Sequence, residues 1–258
     1  MLMRFTVKDA GFEQTLRYTR STIKKVFIPF IKDLSRTIKG SDNRPFVIGI
    51  AGPPGSGKSV LSRIFVQMLA SHGVSCTVLP ADGFHLKNKY LRKKSALIEG
   101  RRFSLHEIKG AKETYDALGL LRCLEKLETE QPFYWPVYLR TLHEPVARGV
   151  FVSRRDTSYI VEGNYLFVDR HPWNLLAKHF LLKIFILPKR RFLKNRIIAR
   201  KRRGGFTKNS ALIHYTRTDL RNIGEVCALS TGYDVCIKQR GKYSYRIQHM
   251  DHRGPSEL

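Results

Sequence analysis

The chain alternates between short apolar runs and longer stretches whose apolar residues recur at helical spacing. The runs have the length of buried strands and are bounded by turn residues. Because strands and helices follow one another in turn, the pattern predicts an α/β fold with a parallel core sheet flanked by helices. The predicted strands are Phe46–Ala51, Ser75–Pro80, Tyr159–Val161, Leu181–Leu187, Tyr233–Ile237 and Tyr243–Ile247, and the predicted helices are Val60–Ser71, Glu107–Leu127 and Phe192–Arg203.

Residues 1–44 carry ten Lys and Arg residues against four acids, and their apolar residues recur roughly at helical spacing. We therefore predict a basic helical extension of one or two amphipathic helices, which Pro29 breaks or kinks, before a domain over residues 45–258. A mitochondrial transit peptide is the alternative, but Asp9 and Glu13 count against it. A turn at Asp42–Pro45 separates the two parts.

Composition adds a strong positive charge to this picture. The 258 residues include 47 Lys and Arg but 21 Asp and Glu, a formal net charge of +26, and 42% hydrophobic residues provide enough apolar material for a core. The charge predicts an anionic partner, which can be nucleotide phosphates, nucleic acid or an acidic membrane surface. No run approaches the roughly 20 apolar residues of a membrane span and no signal peptide stands out, so we expect a cytoplasmic protein. The four cysteines lack the spacing of a zinc module or a disulfide scaffold.

The most specific signal is a glycine-rich loop between a predicted strand and a predicted helix. The run Gly52, Pro53, Pro54, Gly55, Ser56, Gly57, Lys58, Ser59, followed by Val60, satisfies GxxxxGK[ST]. Glycines let consecutive backbone N–H groups point at phosphate oxygens, and the next helix directs its positive end to the same place. Lys58 can then reach the β- and γ-phosphates, and the Ser59 hydroxyl can bind Mg²⁺. The motif predicts that the chain binds a nucleoside triphosphate.

Two acids follow predicted strands and are candidates to work beside this loop. Asp82 follows the second strand, and Glu162 ends the third. The carboxyl ends of parallel strands gather around the ligand crevice, so Asp82 can deprotonate an attacking hydroxyl or hold Mg²⁺ through water. An ordinary Asp-Gly turn explains Asp82 equally well. For Glu162 we favour a second metal-organising acid over a solvent-facing strand end.

With these sites in order, the chain resembles the P-loop small-molecule kinases, which include uridine kinase, bacterial-type pantothenate kinase and phosphoribulokinase. The resemblance extends from about Phe46 to Ile237 and looks closest to a uridine-kinase-like bacterial branch. Several ordered blocks carry it: Gly52–Ser59, Asp82–His85, Lys109–Asp116, Trp135–Tyr138 with His143–Val146, Val161–Leu166, Arg200–Gly205 and Asp219–Asn222.

The resemblance implies ATP-dependent phosphorylation of a small-molecule hydroxyl, with ATP and Mg²⁺ as cofactors. Asp82 matches the family's base, Lys58 and Ser59 match the phosphate and Mg²⁺ ligands, and residues 189–210 match a mobile lid. Arg196 and Arg200 are the best lid candidates by motif, with Arg202 and Arg203 as neighbours. Lid arginines can neutralise charge on the transferring phosphoryl group, and closure excludes water.

The acceptor region departs from the family pattern at two positions. Leu139 stands where close relatives often have aspartate, and Lys112 stands where proline is usual and adds a charge beside the acceptor region. The resemblance assigns acceptor contacts to His85, Arg140, His143 and Glu144, and each of the four can equally be an exposed polar loop residue.

The excess charge leaves alternatives open. Nine of the fifteen residues from Lys189 to Arg203 are Lys or Arg, more than a lid needs. A nucleic-acid-associated NTPase would use the whole cluster, and a second anionic partner would use part of it. A catalytically degenerate kinase that binds ATP and regulates a partner is a third hypothesis, based on Leu139 and Lys112. Assembly into a homodimer also stays open.

Overall fold

The computed structural model describes residues 1–9, 12–43, 45–98, 100–129, 132–153, 156 and 158–250. Arg44, within the predicted turn, lies outside them. The strands are β1 Leu2–Asp9, β2 Phe12–Thr19, β3 Phe46–Ala51, β4 Cys76–Pro80, β5 Ser95–Ile98, β6 Arg101–Ser104, β7 Phe133–Leu139, β8 Glu144–Val152, β9 Ser158–Gly163, β10 Leu182–Leu187, β11 Val235–Gly241 and β12 Ser244–His249. The longer helices are α1 Ile28–Gly40, α2 Lys58–Ala70, α3 Ala117–Glu128, α4 Arg190–Arg203, α5 Lys208–His214 and α6 Leu220–Leu229.

A six-stranded sheet forms the centre of the molecule, in the order β12-β11-β10-β3-β9-β4. The five strands from β11 to β4 run parallel, and β12 pairs antiparallel with β11 at one edge. β3 and β9 are buried along their whole length, as expected for central strands covered by helices on both faces. The predicted α/β class is therefore confirmed, with a mixed sheet because its last strand reverses direction.

The prediction for the N-terminal segment is wrong over its first half. Residues 2–19 form the antiparallel hairpin β1–β2, and only from Arg20 onward is the chain helical, through a π-helical turn into α1. The hairpin alternates polar residues with apolar ones that include Phe5, Val7 and Leu16, and this period of two was available in the sequence. Pro29 does not end the helical segment, and the π-helical turn Ile23–Phe27 lies just before it, where the regular α-helical hydrogen-bond pattern is interrupted.

The N-terminal segment shares its core with the sheet. Phe27, Ile31 and Ile38 are fully buried and belong to the same apolar cluster as Ile48 and Ile184 of the sheet. Burying such side chains contributes about 1.5–3 kcal/mol each. Residues 1–44 therefore pack as part of this face of the molecule.

The predicted helix over Glu107–Leu127 is correct only in its second half. Residues 105–116 form turns and a short 3₁₀ helix, and α3 begins at Ala117. The Asp116 carboxylate accepts a hydrogen bond from the Gly119 N–H at 2.7 Å, which fixes this start. Gly110, which precedes α3, turns the chain at φ +103°, a conformation that an α-helix cannot accommodate.

Two further hairpins, β5–β6 and β7–β8, lie between the strands of the central sheet in sequence. Trp135 on β7 is fully buried, packs edge-on against Phe84 and donates its indole N–H to the Pro80 carbonyl at 3.0 Å. The aromatic residues of β7 thus fix the loop after β4, which carries Asp82. Among the helices of the described residues, none combines the length and apolarity needed to cross a membrane.

Candidate active site

The glycine-rich loop joins the end of β3 to the start of α2. Gly55 and Gly57 adopt φ +77° and +95°, conformations that L-residues with side chains rarely take, and Gly57 caps the N-terminus of α2. The Ser56 hydroxyl oxygen is buried and has no hydrogen-bond partner among the described residues. The loop therefore has a tightly curled backbone that glycine permits, a positive helix end and a buried hydroxyl without a partner among the described residues, which together suit a phosphate group.

Lys58 is buried where the loop enters α2, and its ammonium group donates a hydrogen bond to the Asn164 side-chain oxygen. Burial lowers the pKa of Lys58, and the nearby carboxylates of Glu162 and Asp82 oppose that shift. An anionic ligand at this position would replace the solvation that Lys58 has lost.

Asp82 lies in the 3₁₀ turn Ala81–Phe84, which directly follows β4. The Tyr115 hydroxyl donates to its carboxylate at 3.3 Å. Burial alone would raise the pKa of Asp82, but the charge that His85 carries at acidic pH and the charges of Lys58 and Arg140 outweigh it, so the net shift is downward. Asp82 is therefore a carboxylate at neutral pH.

His85 is held beside Asp82 by backbone and ring contacts. Its Nδ1 lies 2.8 Å from the Asp82 carbonyl oxygen, and its ring lies 3.9 Å from the Tyr115 ring centroid and 4.8 Å from that of Tyr138. Burial lowers the pKa of His85, with Lys109 and Arg140 adding to the effect, although Asp82 opposes it. The imidazole is thus neutral near pH 7.

Two cavities meet at the glycine-rich loop. One, of about 540 Å³, is lined by Gly55 and Gly57, and the other, of about 680 Å³, is lined by Asp82 and His85. Four residues line both, and they are Lys58, Ser59, Arg140 and Arg200. A group that passes from the first cavity to the second would cross between these four side chains.

The 540 Å³ cavity is positively charged throughout. Seven of its lining residues are Lys or Arg and, of the described residues, no Asp or Glu lines it. Its donor set suits a polyanion such as the triphosphate of ATP. The seven cations are Arg17, Lys58, Arg140, Arg196, Arg200, Arg203 and Lys242.

A smaller cavity of about 200 Å³ brings together the three residues for which we predict a role at a metal. Ser59, Asp82 and Glu162 all line it, and Glu162 is almost fully buried. Mg²⁺ prefers oxygen ligands, keeps several waters and shares its coordination with substrate phosphates, so two carboxylates and a hydroxyl fit it. Within the part of the chain that is described, no cluster of three or more His, Cys, Asp or Glu side chains could hold a metal by itself. Leu139 lines the same cavity.

The four predicted acceptor residues divide into two groups. His85, Arg140 and His143 line the 680 Å³ cavity, whereas Glu144 lies behind its wall. The Glu144 carboxylate accepts the backbone N–H of Asn88 at 2.9 Å, and the side chain of Asn88 lines the cavity. Glu144 therefore supports a wall residue.

The predicted lid lies over both cavities. A guanidinium nitrogen of Arg196 on α4 lies 3.4 Å from the Gly55 carbonyl oxygen and 3.5 Å from the Gln239 side-chain oxygen. Arg196 lines the 540 Å³ cavity but is absent from the described lining of the 680 Å³ cavity. Arg200, one turn later, lines both cavities. Of the two neighbours, Arg203 lines the 540 Å³ cavity, and Arg202 is absent from the described linings of both.

Lys112 does not supply the predicted extra charge beside the acceptor. Its ammonium group bonds the Glu225 carboxylate and lies 3.0 Å from a Glu113 oxygen. The two carboxylates, one of them on α6, compensate the charge of Lys112. Lys112 is absent from the described linings of both cavities.

Two stretches of the 540 Å³ cavity wall were not predicted from the sequence, and they are residues 14–18 of β2 and residues 242, 243 and 245 around the turn into β12. Neither stretch carries a motif. The alternating pattern of residues 2–19 would have identified the hairpin, but nothing in the sequence says which element it packs beside.

Strand, glycine-rich loop and helix, with acids at neighbouring strand ends, define this molecule as a P-loop α/β protein of the nucleotide-binding kind. The model of the phosphoribulokinase / uridine kinase family matches residues 47–214. The chain belongs to this family, whose characterised members include small-molecule kinases.

Similar proteins extend the comparison over nearly the whole chain. The uncharacterised protein YggC of Escherichia coli is 31% identical over 248 residues, which is 94% of this chain and 99% of YggC. A putative uridine kinase of Schizosaccharomyces pombe is 28% identical over 75% of this chain and 83% of its own. The crystal structure of a putative fructose transport system kinase from Silicibacter sp. TM1040 superposes with a TM-score of 0.73 at 25% identity, covering 83% of this chain and 99% of that one.

Proposed function

We propose that this protein transfers the γ-phosphoryl group of MgATP to a hydroxyl group of a small metabolite. The observation that carries the proposal is the meeting of two cavities at Lys58, Ser59, Arg140 and Arg200, one cationic and beside the glycine-rich loop, the other beside Asp82. A triphosphate in the first and an acceptor in the second would bring the γ-phosphate and the hydroxyl together at those four side chains.

In this proposal each side chain has one task. Asp82, ionised at neutral pH, accepts the proton of the acceptor hydroxyl, and Tyr115 orients its carboxylate. Lys58 holds the β- and γ-phosphates, and Arg200 and Arg196 neutralise charge on the phosphoryl oxygens. Ser59 and Glu162 would hold Mg²⁺. When bound, that ion neutralises charge on the β- and γ-phosphates.

The acceptor would lie in the 680 Å³ cavity, whose volume suits a small metabolite. His85 and Arg140 flank the base, and Lys109 and Arg92 line the wall further out. Lys109 donates to the Asn88 side-chain oxygen at 2.6 Å and to the His143 carbonyl at 2.7 Å. These positions favour a polar acceptor rich in hydroxyl or acidic groups, in the range of nucleosides, sugars and pantothenate-like compounds.

The experiment is an ATP-consumption assay across nucleosides, sugars and pantothenate with wild type and Asp82→Asn. The amide cannot accept the hydroxyl proton, so we expect kcat to fall by about 10²–10⁴ with little change in KM for ATP. Asp33→Asn is the matched control, since Asp33 is an exposed carboxylate on α1 whose partner is the exposed Arg36.

Full activity of Asp82→Asn on an identified acceptor would remove Asp82 as the base. ATP hydrolysis that RNA or DNA stimulates, with no phosphorylated small molecule, would favour a nucleic-acid-associated NTPase instead. ATP binding without turnover on any acceptor would favour a regulatory protein.

A further inference from the structure

One wall of the 540 Å³ cavity is built by the N-terminal hairpin. Five consecutive residues of β2, from Gln14 to Tyr18, line it. Successive side chains of a strand point to opposite faces, so a wall of five consecutive residues is formed by the edge of the strand. Among the described strands β2 pairs only with β1, which leaves its other edge directed at the cavity.

Hydrogen bonds join the end of this hairpin and the helical turn after it to residues 243–245 at the start of the last strand. The Thr19 N–H donates to the Tyr243 carbonyl at 2.9 Å, and the Tyr245 N–H donates to the Thr22 hydroxyl at 3.1 Å. The rings of Tyr18 and Tyr245 lie 5.8 Å apart. The hairpin is thus held in place beside the cavity.

The lining of the cavity combines two kinds of chemistry. Gly55–Ser59 has the phosphate-binding geometry described above. The rest of the lining includes residues 14–18 of β2, the aromatic residues Phe192, Tyr243 and Tyr245, and the cations Arg17 and Lys242. Strand edges offer N–H and C=O groups for hydrogen bonds, and aromatic rings offer stacking surfaces, which are the two contacts that a nucleobase uses.

We propose that the N-terminal hairpin forms part of the nucleotide site, with β2 and Arg17 holding the nucleoside end of the ATP whose triphosphate lies on the glycine-rich loop. The inference rests on the proposed function for the identity of the ligand. It assigns a binding role to residues 14–18, which lie outside the stretch that the family model matches.

The hairpin contains its own matched control. Arg17 on β2 and Arg4 on β1 are direct cross-strand partners, and both are exposed. Only Arg17 lines the cavity. Replacing either arginine with alanine removes one charge and the same like-charge pairing, so the two variants should fold equally well.

The test is equilibrium titration of ATP and of inorganic tripolyphosphate, without acceptor, against wild type, Arg17→Ala, Arg4→Ala and Lys58→Ala. For ATP we expect Arg17→Ala to weaken binding about five- to tenfold and Arg4→Ala to stay within about twofold. Tripolyphosphate lacks a nucleoside, so its binding should change little in Arg17→Ala and fall strongly in Lys58→Ala. A second variant, Thr15→Trp, places bulk at the exposed edge and should block ATP while sparing tripolyphosphate.

The outcomes separate this inference from the proposed function. Unchanged ATP binding in both Arg17→Ala and Thr15→Trp, with loss in Lys58→Ala, would overturn the role of the hairpin alone. Equal losses in Arg17→Ala and Arg4→Ala, or loss of tripolyphosphate binding in Arg17→Ala, would also overturn it. If Lys58→Ala bound ATP like wild type, the glycine-rich loop would not be the nucleotide site, and the proposed function would fail.

Discussion

Asp219 shows how one buried carboxylate organises the lid side of the site. Its oxygen lies 3.2 Å from Lys201 Nζ and 3.2 Å from His214 Nδ1, and Asp219 itself is buried at the edge of the 680 Å³ cavity. Burial alone would raise the pKa of Asp219, but the His214 hydrogen bond and the Lys201 charge, with Arg200 nearby, lower it overall. The carboxylate therefore ties α4 to α5.

We predict that Asp219→Asn destabilises the fold by about 3 kcal/mol at pH 7, because it leaves Lys201 buried without its counter-charge. The folded-state pKa of Asp219 lies below the ordinary value of about 4, so its stabilisation is present above that pH and is lost as pH falls through the folded pKa. The difference in the free energy of unfolding between wild type and variant, from urea titrations, should shrink between pH 5 and pH 3. A difference that stayed constant over this range would contradict the charge pairing.

Side chains with local motifs were predictable from the sequence. The glycine-rich loop and the strand-end acids Asp82 and Glu162 carry signals within a few residues of themselves, and the structure brings Ser59, Asp82 and Glu162 to one cavity. Gln239, which faces Arg196, carries no such signal because its contact depends on the pairing of distant strands. The roles of all these side chains stay predictions until variants are assayed.

At the scale of elements, the position of Asp82 depends on a close backbone contact. A Cβ added at Gly83 would lie 2.0 Å from the Pro136 carbonyl oxygen on β7, where no side-chain rotation can relieve the clash. The 3₁₀ turn that carries Asp82 thus touches the β7–β8 hairpin directly.

Gly83→Ala should therefore destabilise the protein by about 1–3 kcal/mol and lower kcat, because the turn must move away from β7 and take Asp82 with it. Gly224→Ala is the matched control. It lies in α6 with nothing within 4 Å of an added Cβ, and alanine there should stabilise the helix by about 0.5–1 kcal/mol. Thermal unfolding and the phosphorylation assay measure both effects, and equal behaviour of the two variants would refute the contact.

The elements of the core sheet were predictable, and those around it were not. Four apolar runs correspond to β3, β4, β9 and β10 within a few residues, since buried parallel strands are short and almost wholly apolar. The last two strands were also predicted, although β11 extends beyond Ile237 to Gly241. The hairpins β5–β6 and β7–β8 were not predicted because the two faces of their strands differ little in polarity. The hairpin β1–β2 was not predicted because the spacing of its apolar residues also fits a helix.

For the molecule as a whole, charge is concentrated where the proposed nucleotide would bind. Of the described residues, seven Lys and Arg line the 540 Å³ cavity, which is a small part of the 47 in the chain. On α4, Arg190, Arg191 and Lys194 are exposed and are absent from the described linings of both cavities. These three exposed cations are therefore the candidate binding surface for a second anionic partner.

The dependence on salt should distinguish ATP binding in the cavity from RNA binding on the exposed cations of α4. Salt screens exposed charges more than charges that line a cavity. Between about 0.05 and 0.5 M KCl we therefore expect KM for ATP to rise by less than about threefold. The affinity for single-stranded RNA should fall by about tenfold or more over the same range. Replacing Arg190, Arg191 and Lys194 with alanine should weaken RNA binding and leave KM for ATP within about twofold. RNA binding unchanged by salt and by these substitutions would exclude α4 as a nucleic-acid surface.

The contacts between the N-terminal segment and β12 have a consequence for biosynthesis. The Tyr245 N–H and the Thr22 hydroxyl, which are hydrogen-bonded, belong to residues 223 positions apart. A nascent chain exposes the hairpin and the glycine-rich loop long before β12 leaves the ribosome, so the wall at residues 242–245 is missing until that stretch has been synthesised. Ribosome-bound chains stalled before residue 235 should therefore fail to retain ATP that the released protein binds, and the nucleotide would become a ligand only after β12 has joined the sheet.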